Sequence, residues 1–258
     1  METLTSSDRM VDRALGRAVV ARYLKLGLRA PEPVALQDVL SLDAKRALER
    51  ASRALGDRGT EDLVNAAEAL VRGPLPPLEE LRASYNRLFG HSLRGRVCPY
   101  ETEYGKREPL LQAQELSDIV GFYRAFGLEP AASSKERWDH IACELEFLEL
   151  LSMKEAYALE NGSQEMFEVT RHALRRFVRE HLGFFGAAFG MSLYREDLGG
   201  FYGRLGELCA GFLAALAREL GLPAGPEALP LSSVEPDDVP MACGRGLDDE
   251  PGLSSFDV

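Results

Sequence analysis

The sequence predicts an all-α protein, a single globular helical domain over residues 1–222 with a flexible acidic C-terminal tail over 223–258. Three observations carry this reading. Apolar residues recur at helical spacing in one segment after another, with capping residues before each segment and glycine or proline after it. No stretch alternates apolar and polar residues in a way that demands a strand, and nothing repeats at a fixed period. Beyond Gly221 the composition changes: six of the 14 prolines lie there, with eight acidic residues, one arginine and little apolar periodicity. Such a segment cannot bury enough apolar surface to offset its ordering entropy.

The first helix takes Ser6 or Ser7 as its cap and places Val11, Leu15, Val19, Tyr23 and Leu26 on one face, ending at Gly27 and the Pro31/Pro33 pair. A second helical region runs from about Leu36 to Leu55 and stops at Gly56. Thr60 caps a third, whose Glu61 and Asp62 complement the helix dipole and whose stop is Gly73-Pro74. Pro77 opens the fourth, with Leu81, Tyr85, Leu88 and Phe89 at helical spacing and Gly90 as its stop. A short basic loop with Arg94, Gly95 and Arg96 leads into C-P-Y-E-T-E-Y at 98–104, which suits neither helix nor strand because Pro99 removes a backbone donor and extends Cys98.

A helix over about 108–126 carries Leu111, Leu116, Ile119, Val120 and Phe126. Residues 133–136 form a capping box before the strongest helix of the chain, with Trp138, Ile141, Leu145, Leu148 and Leu151 along its apolar stripe and a stop near Asn161-Gly162. Ser163 caps the next, where Met166, Thr170, Ala173, Phe177 and Val178 point inward and Gly183 ends it. A short aromatic connection over 184–191 precedes the last helix, which holds Phe201, Leu205, Leu208, Phe212, Leu216 and Leu220. The glycines at 199, 200, 203, 206 and 211 weaken that helix intrinsically, so close packing against a neighbour has to stabilise it.

At 258 residues, with 45% hydrophobic and 28% charged side chains, the chain has the composition of an ordinary soluble protein with a sizeable core. Its net charge of −11 is concentrated in the tail, which carries −7. An acidic balance argues against a nucleic-acid binder and suits a basic peptide partner. Cys98, Cys143, Cys209 and Cys243 are far apart, which is neither a zinc pattern nor a disulfide framework; reduced thiols in a cytoplasmic protein are the expectation. No run is apolar and long enough to span a membrane.

Two places attract chemical scrutiny. On the 98–104 loop, two tyrosines and two carboxylates beside a helix end are what a peptide-binding surface uses, although from this stretch alone a loop folded against the core with satisfied hydroxyls is the favoured reading. At the strong helix, His140, Cys143 and Glu144 share one side, but no second cluster supplies further metal ligands, and Asp139 is expected to cap or orient His140. His91, His172 and His181 stand alone, and Glu144, Glu146 and Glu149 read as a solvated face or as partners of basic groups. The phosphate-binding, hydrolase, zinc-protease and dinucleotide motifs are absent, so no catalytic residue and no cofactor or metal site is expected.

The Y-x-x-L-F helix end, the P-Y-E-T-x-Y loop and D-H-I-x-x-E-L-E-F-L at a helix start, in that order in an acidic all-helical chain, resemble the TorD-like chaperones of molybdoenzyme maturation, which include the DmsD and NarJ types. The resemblance covers about 7–221. It implies a cytoplasmic chaperone that binds the twin-arginine signal peptide, or another part, of the catalytic subunit of a molybdenum-containing oxidoreductase and delays export until the cofactor is inserted. The family's peptide-binding patch falls on Tyr85, Leu88, Phe89, Pro99, Tyr100, Glu101, Thr102, Tyr104, Asp139 and His140, and Glu144 joins them as a carboxylate within reach of a basic signal. Departures are Tyr100 where relatives commonly have tryptophan, Thr102 for serine, and Arg137 for a proline. The loop's form leans toward chaperones of the dimethylsulfide, ethylbenzene, selenate or chlorate enzymes. Homodimerisation is left open, and a structural adaptor or regulatory subunit and an all-α enzyme with an unrecognised site are the alternatives.

Overall fold

A computed structural model describes residues 5–33, 38, 41–56, 60–90, 95–105, 109–129 and 136–232. Its helices are α1 (Ser6–Leu28), α2 (Leu42–Leu55), α3 (Glu61–Arg72), α4 (Leu78–Phe89), α5 (Pro109–Ala125), α6 (Ile141–Glu160), α7 (Gln164–Phe177), α8 (Gly183–Glu196) and α9 (Phe201–Leu220), with a 3-10 turn at Glu101–Glu103 and a π-turn at Val178–Leu182. The described residues contain no strand, only the isolated bridges Tyr100–His140 and Tyr104–Leu231. The all-α reading therefore holds. The Leu36 start of the second helical region, Arg94, His91, most of the 133–136 capping box and Cys243 lie outside the described residues.

Several local expectations are corrected. α1 is capped by Thr5: its Oγ1 accepts from the Asp8 N–H at 3.1 Å, and the Asp8 carboxylate accepts from the Thr5 N–H at 2.9 Å. Tyr23 is buried as expected and Val19 and Leu26 pack against the core, but the rest of the buried face is made of Ala14, Ala18, Val20, Ala21 and Leu24, while Leu15 is 43% exposed. Small residues let α1 lie close along α6, and a pattern read from large apolar residues alone passes over them. Two cations, Arg17 and Lys25, are buried in this face because Arg17 meets Glu155 and Glu219 and Lys25 meets Glu149 at 2.6 Å. Gly27 is not a stop; it lies inside α1, where a Cβ would come within 2.9 Å of the Leu205 side chain.

α6 starts at Ile141, later than expected, so Trp138 precedes it, and the cap is His140. The aromatic connection over 184–191 is helical: α7 passes through the π-turn into α8 without a break, and Gly183 does not end it. Gly190 and Gly206 let α8 and α9 touch backbone to backbone, since a Cβ on Gly206 would sit 2.4 Å from the Gly190 carbonyl oxygen. The expectation of close packing around the glycines of α9 is met there. Met166 faces solvent at 40% exposure, contrary to expectation, because the buried face of α7 is Thr170, Leu174 and Phe177.

The core is continuous, with Leu145, Phe147, Leu148 and Leu151 of α6 meeting residues of α1, α7, α8 and α9. After α9, closed by Gly221 at φ 64, residues 222–232 run back over the body. Leu222 and Leu229 pack against the core. The Gly105 N–H then donates to the Pro230 carbonyl at 2.7 Å, and the Ser232 N–H to the Glu103 carbonyl at 2.7 Å.

Candidate functional site: the loop at the start of α6

Pro99 cannot donate a backbone hydrogen bond, so residues 97–105 find their partners outside regular structure. On one edge the Glu101 N–H donates to the Asp139 carbonyl at 2.9 Å and the Ile141 N–H to the Pro99 carbonyl at 2.8 Å. The loop is thereby bonded to the residues that open α6. Its entrance is tied to the end of α4 by the Val97 N–H, which donates to the Leu88 carbonyl at 2.9 Å. Tyr104 turns inward, donating its hydroxyl to the Cys98 carbonyl at 2.7 Å.

Asp139, with no exposed surface, accepts from the Thr102 hydroxyl at 2.8 Å and its N–H at 3.3 Å, and from Arg137 Nε at 3.0 Å and Nη2 at 2.8 Å. It therefore fixes the loop rather than capping or orienting its neighbour, which corrects the expectation. His140 caps α6 itself: Nδ1 accepts from the Ala142 N–H at 3.1 Å. That bond needs Nδ1 unprotonated, and burial pushes the imidazole down to about 4. The ring stands edge-on to Tyr100 at 5.4 Å between centroids.

Glu144 is fully buried and lies against Glu101, itself 1% exposed. Burial, then the Glu101 carboxylate, then Asp139 hold Glu144 well above the usual carboxylate range. Glu101 Oε1 also lies 3.3 Å from His181 Nδ1, and His181 Nε2 lies 3.2 Å from Asp118, a half-exposed carboxylate on α5. His181 thus does not stand alone; the π-turn swings it under the loop, and a 3.6-residue reading of that segment misplaces it. Glu144 leaves the expected solvated face, as does Glu149, which pairs with Lys25, whereas Glu146 stays at the surface and pairs with Arg29 at 2.7 Å.

Among the residues expected to form a peptide surface, Tyr100, Glu101, Thr102, Asp139, His140 and Glu144 come together. Pro99 and Tyr104 are buried in the loop's own framework. Leu88 is fully buried; Phe89 packs against Phe189 and Tyr202 in the core, with centroids 6.4 and 5.9 Å away. Tyr85 and Tyr100 are partly buried, packing against the core while keeping some exposed surface.

Beside the junction lies a cleft of about 680 Å³. Its floor is Tyr123, Trp138, Phe147 and Leu150, and its rim carries Glu129, Glu136, Glu146 and Glu149 against Lys25 and Arg29. Trp138 stacks on Tyr123 at 5.4 Å, and the Tyr123 hydroxyl donates to the Trp138 carbonyl at 2.9 Å. Trp138 is thus half core and half cleft wall. No local pattern marks the cleft, because its walls come from α1, α5 and α6.

The profile of a family described as "Nitrate reductase delta subunit" matches residues 53–190, more than half of the chain. A "Chaperone protein TorD" from Aliivibrio fischeri is 29% identical over 161 residues, covering 60% of this chain and 73% of that protein. A "Dimethyl sulfide dehydrogenase assembly chaperone protein" from Rhodovulum sulfidophilum is 32% identical over 165 residues, 54% of this chain and 62% of its own length. A second TorD chaperone, from Aliivibrio salmonicida, is 27% identical over 135 residues, 52% of this chain and 61% of its own. The matches to the latter two span less than two thirds of those relatives.

Proposed function

The chain belongs to the nitrate reductase delta subunit family, of the TorD/NarJ type, and on that premise we propose that it is a cytoplasmic maturation chaperone. Its client is the apo catalytic subunit of a molybdenum oxidoreductase, held by its twin-arginine signal peptide until the cofactor is in place. The observation that carries this reading is an apolar cleft whose lining includes Glu129, Glu136, Glu146 and Glu149, with Glu136 linking it electrostatically to the partly buried Tyr85 and Tyr100. A signal peptide offers an apolar stretch preceded by arginines, and a receptor for it needs an apolar trough with carboxylates at its edge. The dimethyl sulfide dehydrogenase assembly chaperone is among the relatives, which supports a client from that enzyme group. The described residues contain no helix long and apolar enough to cross a membrane, and no group of three or more His, Cys, Asp or Glu placed to hold a metal ion.

Calorimetric titration of the full chain with a signal peptide from such an oxidoreductase tests the reading. Binding is expected, and it should weaken when the arginine pair is replaced by lysines. Absence of binding to the arginine peptide would contradict it. The family's description as a subunit favours one alternative, an adaptor that stays in fixed stoichiometry with the assembled enzyme; co-purification of chain and mature enzyme in constant ratio would support that alternative instead.

A further inference from the structure

A guanidinium is already seated at the loop–helix junction, and it belongs to this chain. Arg137 meets Asp139 in a two-pronged pair, Nε to Oδ1 at 3.0 Å and Nη2 to Oδ2 at 2.8 Å. Nη2 also donates to the Thr102 hydroxyl at 2.7 Å and Nη1 to Glu103 Oε1 at 3.2 Å. The guanidinium carbon lies 4.5 Å from the centre of the Tyr100 ring. Two carboxylates, a hydroxyl and an aromatic face thus surround one planar cation, an arrangement that suits an arginine fork and that a lysine ammonium cannot satisfy as a whole.

The receptor half and the occupant differ in how they are held. Asp139 and Thr102 are buried and tied to the backbone of the loop and of the α6 start. The Arg137 side chain is one-third exposed and comes from residues that precede α6, outside any helix. It can therefore leave without dismantling the floor.

We propose that Tyr100, Thr102, Glu103 and Asp139 form an arginine-binding subsite for the client, and that Arg137 is its resident occupant, displaced when a client arginine enters. The assignment rests on the reading of the preceding section. Self-occupancy makes the client compete with an intramolecular arginine, which lowers apparent affinity while the floor selects guanidinium over ammonium. It also keeps the buried Asp139 carboxylate paired when no client is bound.

The test is Arg137→Ala in the full chain, with Arg137→Gln in its place if the alanine variant does not fold. Added Nα-acetylarginine amide should raise the melting temperature of the variant. Nα-acetyllysine amide should not, and neither additive should stabilise the wild type or the Arg137→Ala/Asp139→Asn double variant. A twin-arginine signal peptide should bind the single variant about tenfold more tightly than it binds wild type, and its twin-lysine version should lose that gain. If the arginine amide has no effect and the signal peptide binds the variant no better than wild type, Arg137 is a fixed part of the loop and the subsite is overturned. If the amide rescues the variant but neither protein binds the signal peptide, the client assignment falls, and with it the reading it rests on.

Discussion

The buried floor of the loop–helix junction and its open surface are made from neighbouring residues but do different work. Glu101, Thr102, Asp139, His140 and Glu144 are each at most 2% exposed; Thr102, Asp139 and His140 bond the loop and the α6 terminus, and Glu101 meets His181. Tyr100, Arg137 and Trp138, interleaved with them in sequence, keep part of their surface open. The difference teaches that residues belonging to one motif are not equivalent: some build the shape of the loop, and others present it. Substitutions in the floor should register in stability, with Asp139 and Thr102 affecting binding as well through the arginine subsite, and substitutions in the surface should register chiefly in binding.

The largest effect is expected from Asp139→Ala, which leaves Arg137 and Thr102 without their acceptor. The buried Thr102 hydroxyl and N–H lose their acceptor, at about 1–3 kcal/mol each, so denaturant unfolding should show a loss of several kcal/mol. Phe89→Ala should be comparable, about 3–5 kcal/mol, because Phe89 packs in the core against Phe189 and Tyr202. A loss of peptide binding with unchanged stability in either variant would break the division between floor and surface.

Next in size are two pH effects of opposite sign. The His140 imidazole is pushed down to about 4 by burial, whereas an unfolded histidine titrates near ~6.5. Below that value the unfolded state takes up the proton first, so stability falls as pH drops from about 6.5 toward 4, by on the order of 3 kcal/mol in full. His140→Asn keeps a capping acceptor and should flatten that limb. Glu144 is raised, so the folded state holds its proton after the unfolded chain has released it. Its contribution is whole below the unfolded carboxylate range and is lost as pH rises through its folded value. Glu144→Gln should therefore gain stability over wild type on the neutral and alkaline side and match it in acid. Melting temperature against pH for the three proteins checks both signs.

How much of this was legible follows the same division. Helices α3 and α4 were readable from their opening and stop residues, and α4 and α9 from large apolar residues at helical spacing. The face of α1 was not, since alanines bury it and its charges are compensated from α6 and α9. The motifs at 98–104 and 139–144 were visible as stretches with unusual composition, but their sharing of one junction depends on the backbone bonds from Glu101 to Asp139 and from Ile141 to Pro99. Those bonds are written in no local pattern. His181 was missed because one extra residue per turn, at the π-turn, rotates it onto the face that meets Glu101. Arg137 was noted only as a departure from the family's proline, yet it supplies the guanidinium that fills the junction.

The smallest stability effect should come from the loop's other edge. There residues 230–232 are joined to Glu103 and Gly105 by backbone bonds and by the Ser232 hydroxyl, which donates to the Gly105 carbonyl at 2.6 Å. Leu231 is 46% exposed, so little apolar burial supports this edge. Ending the chain after residue 229 should cost about 1–2 kcal/mol, in keeping with the modest net worth of a few hydrogen bonds, and ending it after 232 should cost less than 0.5 kcal/mol by the ~0.5 kcal/mol scale of surface changes. This assigns the body of the protein to 1–232 as a proposal, with the acidic remainder dispensable for folding. Equal melting of the two truncated chains would remove the distinction.

The division between floor and surface is tested most directly by Tyr100→Ala, measured by calorimetric titration with the signal peptide and by melting in the same buffer. The ring lies at the edge of the core with part of its surface open, so its removal should cost less stability than a floor substitution and the variant should melt within a few degrees of wild type. Its affinity should fall more than tenfold, as for the loss of an aromatic hot spot worth about 2 kcal/mol. A variant that melts normally and binds the peptide as tightly as wild type would contradict the account.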